Sequence, residues 1–140
     1  MPIRRNVFSS LANSFHYHCV SRVVDRNFVF GAHERDVFRK ILRQVEGFSG
    51  VRVVTWTILS NHFHVLLEVP PPPAVPLTDD EILARCRSLY SKDGMVAVEW
   101  EFEDAQRAGG LALERVRAKY LRRMWDLSEF MKTLKQKFTL

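Results

Sequence analysis

Ser60-Asn61-His62-Phe63-His64-Val65-Leu66-Leu67-Glu68-Val69-Pro70 is the stretch whose reading decides the fold. Read as a strand, its side chains alternate between two faces. Phe63, Val65, Leu67 and Val69 share a wholly apolar face that requires a core beneath it. His62, His64, Leu66 and Glu68 share the other. The two imidazoles stand about 7 Å apart along the strand. Neutral imidazoles side by side can chelate a divalent metal when a further polar group joins them. A sheet surface carrying two solvated histidines accounts for the bare pattern equally well.

Working outward, Val51 to Leu59 is dense in Val, Thr, Trp and Ile and reads as a strand. Ser60-Asn61 is a tight connection to the histidine strand, which makes a β-hairpin. Upstream, Phe15 to Val23 reads as the first strand. His16, His18 and Val20 fall on one face, and Phe15, Tyr17 and Cys19 on the other. His16 fits a partly buried sheet position. Between these strands, His33-Glu34-Arg35-Asp36 opens a helix to about Gly47, with Val37, Phe38, Ile41, Leu42 and Val45 as its buried stripe. Strand, helix, strand, strand and then helix is the order of an α+β fold, a ferredoxin-like split βαβ arrangement with an antiparallel sheet and helices on one face. In that plan the first and third strands are central neighbours, which sets His18 beside the His62/His64 strand. Residues 1–13 lack clear periodicity and read as a loop or loosely held arm. Residues 22–30 read as a turn and a short extension.

Beyond the hairpin, Pro70-Pro71-Pro72-Pro73 and Pro76 end the strand and favour a stiff spacer. Thr78 is a natural N-cap, and Glu81 completes a capping box for a helix to about Tyr90. Val96-Ala97-Val98 reads as a short strand, residues 99–108 as helical, and Leu111 to Met124 as a helix with a basic face. Asp126 caps a last helix. Its apolar stripe is Leu127, Phe130, Met131, Leu134 and Phe138, and Lys132, Lys135, Gln136 and Lys137 lie mainly off it.

The 140 residues suit one domain, residues 1–140, and 46% hydrophobic residues can fill its core. The net charge of +5 favours a polyanionic partner. Residues 78–104 hold eight acidic side chains against three basic ones, whereas residues 115–137 hold eight basic against two acidic. Each charged segment alone fits a solvated face. Basic segments folding back on a histidine strand form a phosphate-binding surface. Two cysteines without a CxxC pair fit a reducing cytoplasm. No apolar run approaches the length of a membrane span, and no signal peptide pattern follows Met1.

Residues 55–70 closely resemble the His-bulky residue-His (HUH) motif of single-tyrosine transposases, most of all the branch of REP-associated tyrosine transposases. The resemblance extends to Tyr17-His18-Cys19-Val20-Ser21-Arg22 and to the helix ending Met131-Lys132-Thr133-Leu134-Lys135-Gln136-Lys137-Phe138. It implies that His62 and His64 hold Mg²⁺ or Mn²⁺, with His18 and Glu68 in support. It also implies single-stranded or hairpin DNA as substrate, a tyrosine nucleophile that leaves a 5′-phosphotyrosine link, and a homodimer. Arg22 and Arg26, in an arginine-bearing segment that packs near DNA in the family, are DNA-binding candidates, as are Arg122, Arg123, Lys132 and Lys135. Next to the smallest family members, the region between the hairpin and the last helix reads as a helical insertion.

The family's nucleophile position matches Phe138, which has no hydroxyl to attack phosphorus. The only tyrosines are Tyr17, Tyr90 and Tyr120, and none lies on that helix. Two explanations fit: a chain truncated at its C-terminus, or a branch that gave up tyrosine chemistry and kept DNA binding. Three functions follow. One is a metal-dependent DNA strand transferase, one a non-catalytic DNA-binding module derived from it, and one a metal-dependent phosphodiesterase that uses water.

Overall fold

The computed structural model describes residues 4–9, 14–22, 31–59 and 61–138. Four strands form an antiparallel sheet: β1 (Arg4–Ser9), β2 (Phe15–Arg22), β3 (Arg52–Leu59) and β4 (His62–Val69), in the order β1-β2-β4-β3. Five helices accompany it: α1 (Ala32–Ser49), α2 (Asp79–Leu89), α3 (Lys92–Ala108), α4 (Leu111–Leu121) and α5 (Leu127–Phe138). The fold is α+β and compatible with the split βαβ plan. As that plan requires, β2 and β4 are central antiparallel neighbours.

The two faces of β4 divide as their alternation dictates. Phe63, Val65 and Leu67 are buried, and His62, His64, Leu66 and Glu68 are half-buried. The apolar face receives α1, whose Phe38 ring lies 5.0 Å from Phe63 and 5.6 Å from Trp56. Leu42, Val45 and Phe48 continue that stripe into the core. Gly50 closes α1 in the left-handed region (φ 81°), with its N–H donating to the Glu46 carbonyl at 3.1 Å. A Cβ at Gly50 would meet the Trp125 indole Nε1 at 2.5 Å. Trp125, itself at φ 52°, donates its N–H to the Ser49 carbonyl at 2.7 Å. The end of α1 is thereby tied to the turn that launches α5. On α5, Leu127, Phe130, Met131 and Leu134 are buried.

The N-terminal segment departs from the expected loop: Arg4–Ser9 pairs antiparallel with the free edge of β2. An edge strand needs only a neighbour's backbone groups, so hydrophobic period is a weak guide to it. Val96-Ala97-Val98 is likewise helical, not a strand. Ser91 caps α3 by accepting from the Gly94 N–H at 3.2 Å. Met95, Val98, Phe102 and Ala105 then bury at helical spacing, so packing overrides the β preference of two valines. The capping box of α2 is present as expected: the Thr78 hydroxyl accepts from the Glu81 N–H at 3.2 Å, and Glu81 accepts from Thr78. Asp126 caps α5 through the Glu129 N–H at 2.8 Å. The expected helix to Met124 stops at Leu121, and residues 122–125 form a turn.

Candidate functional site

The histidines fall on the half-buried sheet face because alternation gives the inward positions to Cys19 on β2 and to Phe63, Val65 and Leu67 on β4. Strand register fixes their neighbours. His62 stands opposite Arg22 on β2 and Leu59 on β3. His64 stands opposite Val20 and Thr57. His18 is in register with Leu66, yet its Nε2 lies 3.1 Å from His64 Nδ1, with the rings stacked at 5.3 Å. One of these nitrogens must carry the proton and the other accept it. Burial, then the neighbouring His18 and His62, holds the His64 imidazole below its ordinary pKa. His64 is therefore neutral at physiological pH, the form that ligates metals. Beside the pair lies a cavity of about 400 Å³ lined by Thr55, Thr57, Leu59 and Leu66 together with His18 and His64.

Glu68 belongs to a second cluster on the same face. Its carboxylate meets His16 Nε2 at 3.3 Å and the Arg52 guanidinium at 3.2 Å. Four residues of extended strand separate it from His64, about 13 Å. His16 is half-buried there, as its strand position implies. Among the described residues no group of three His, Cys, Asp or Glu side chains is assembled for a metal ion. The donor set near His64 is thus imidazole nitrogen. Two such nitrogens suit two positions of a divalent ion, and the remaining positions call for oxygen from outside the chain, such as water or phosphate.

The residues named from sequence fall in three places. Arg22 is exposed on the histidine face, across from His62. Arg26 lies outside the described residues. Arg122, Arg123 and Lys132 line a separate cleft between the end of α4 and α5, and Lys135 is half-buried on α5 outside that lining. Phe138 packs edge-on against Phe38 at 5.1 Å. Phe38 also touches Phe63, so Phe138 lies on the helix side of the sheet, opposite the histidines. None of the three tyrosines offers a hydroxyl to the histidine face. Tyr17 alternates to the core face. The Tyr90 hydroxyl accepts from Arg123. The Tyr120 hydroxyl donates to Glu101 at 2.7 Å, and burial with that carboxylate pushes its pKa up. Thr55 and Thr57 were not singled out from sequence. Leu59 pairs with His62 and Thr57 with His64, the register that the tight Ser60-Asn61 connection expected from sequence implies.

An antiparallel sheet with helices on one side and paired strand histidines on the other defines a histidine-strand domain of α+β class. Residues 11–78 match the family model described as Transposase IS200 like. That span contains β2, α1, β3 and β4 and ends at the N-cap of α2, so the similarity to IS200-like transposases covers the sheet strands that carry the histidines. Neither the curated proteins nor the solved structures compared with the chain give a match.

Proposed function

We propose that the chain is a transposase-like domain that binds single-stranded DNA on its histidine face. In this reading His62 and His64 hold Mn²⁺ or Mg²⁺, and no tyrosine of the chain serves as nucleophile there. The observation that carries it is the cross-strand cluster of His62, His64, His18 and Arg22 in the segment that matches IS200-like transposases. A bound divalent ion polarises a phosphate oxygen. His18 fixes the ring of His64 through its Nδ1, a neighbouring contact of the kind that orients ligands. Arg22 supplies a permanent positive charge for a phosphate beside His62. The cavity between Leu59 and Leu66 offers an apolar surface to a base.

The test is incubation with labelled single-stranded DNA flanked by a hairpin, in the presence of Mn²⁺. Complexes are scored natively and after denaturation. The expected result is a native complex weakened in His62→Ala and no denaturant-resistant adduct. An adduct lost in that variant would establish tyrosine transfer and contradict the non-catalytic part of the proposal.

A further inference from the structure

The cations of the C-terminal half are not equally engaged. Arg117 is bound to Asp79 and to the Leu77 carbonyl. Lys119 is paired with Glu101 at 2.8 Å. Arg123 donates to the Tyr90 hydroxyl, and its guanidinium lies 4.8 Å from the centre of the Phe48 ring, which holds it in place. The side chains of Arg122 and Lys132, both exposed, make no hydrogen bond or ion pair among the described residues. All but Arg117 meet at one cleft of about 480 Å³, where Thr133 and Gln136 add polar groups and Glu129 is the one acid. Four cations around one carboxylate, of which only Lys119 has an acidic partner, form a site for an anion. Several cations lining an open cleft of this size suit a run of phosphates more than a single small anion.

The position of the cleft is the second observation. Glu129, Lys132 and Gln136 form the stripe of α5 opposite Leu127, Phe130, Met131 and Leu134, which face the core, and Thr133 is buried at the border between the two. The cleft therefore opens on the outer side of the helix layer. The histidines stand beyond α1 and the sheet, on the other side. The expectation that the basic helices fold back onto the histidine strand is corrected by this geometry.

We infer that the cleft between α4 and α5 is a second DNA-backbone site, independent of the histidine face. It takes from the proposed function only that the polyanion is DNA. Arg122 and Lys132 neutralise phosphates there, Arg123 is the rigid cation at the wall, and the contact is indifferent to base sequence. DNA that touches both surfaces has to pass around the edge of the domain.

The test is anisotropy of labelled duplex and labelled single-stranded DNA over a salt series, with the full chain and without added metal. In Arg122→Gln/Lys132→Gln the slope of log affinity against log salt should become shallower by about 2 on duplex, or by about 1.4 on single strand. Whichever of the two shows the change is the form of DNA the cleft holds. Lys92→Gln/Arg107→Gln removes two exposed cations on α3 and should change the slope by less than half as much. His62→Ala/His64→Ala should leave the cleft's contribution intact, so failure of the histidine-face reading is separately visible. An unchanged slope in Arg122→Gln/Lys132→Gln, or an equal change in the α3 control, would overturn the inference.

Discussion

At the residue scale, His64 is the best-defined group of the site. Its Nδ1 is engaged by His18, and its environment keeps it neutral. Replacing His18 by Ala should lower Mn²⁺ affinity about tenfold without unfolding the chain, because it frees the His64 ring to rotate. Calorimetric titration of the variant checks this, and equal affinities would remove His18 from the site. Thr57 was readable in principle from the hairpin turn alone. The diagonal His18–His64 contact was not, since it depends on ring rotamers and not on register. Cys86 gives a pH prediction. Burial pushes its thiol up to about 11, so it stays protonated and should not react with thiol reagents at pH 8 until the chain unfolds. Between pH about 9 and 11 the unfolded chain releases a proton that the folded chain keeps. Stability is therefore undiminished by this group below pH 9 and falls across that window. Urea midpoints of wild type and Cys86→Ala, compared from pH 8 to 11, should differ in slope; parallel curves would contradict the assignment.

At the element scale, strong local signals were legible and weak ones were not. The α2 capping box could be read from Thr78 and Glu81 alone, and Thr78→Ala should cost about 1 kcal/mol in denaturant unfolding. The hairpin was legible from the short connection expected at Ser60-Asn61, and the apolar face of β4 from alternation. By contrast, Val96-Ala97-Val98 carries strand propensity but belongs to a helix, since Phe102 and Ala105 complete a buried stripe that only the helical period provides. β1 gave no usable period because its partner is another strand's backbone edge. The placement of α5 carries a further prediction. Phe138 meets Phe38 on the helix side of the sheet, so Phe138→Tyr should restore no covalent DNA adduct on a denaturing gel. Appearance of an adduct would mean that α5 can reach the histidine face.

At the scale of the whole molecule, the acidic and basic segments answer each other in two pairs, Asp79 with Arg117 and Glu101 with Lys119, while Glu99 pairs with Arg87 inside the acidic segment. These pairs knit α2, α3 and α4 together. The contrast between residues 78–104 and 115–137 is therefore in part an internal pairing, with Arg122 and Lys132 among the cations of the basic segment that have no acidic partner among the described residues. Sequence revealed the charge contrast but not which charges were already spoken for, because that depends on how helices far apart in the chain cross. Among the described residues no helix is long and apolar enough to cross a membrane. The two candidate surfaces, histidine strand and basic cleft, lie on opposite sides of the domain. Only the first lies in the segment that matches IS200-like transposases.

The central claim is that the histidine face binds DNA through a metal held by His62 and His64. Its most direct test is the affinity for a labelled single strand measured with and without Mn²⁺, in wild type and in His62→Ala/His64→Ala. The account predicts that Mn²⁺ strengthens binding by wild type and leaves the variant unchanged. Equal strengthening in both proteins, or none in either, would contradict it.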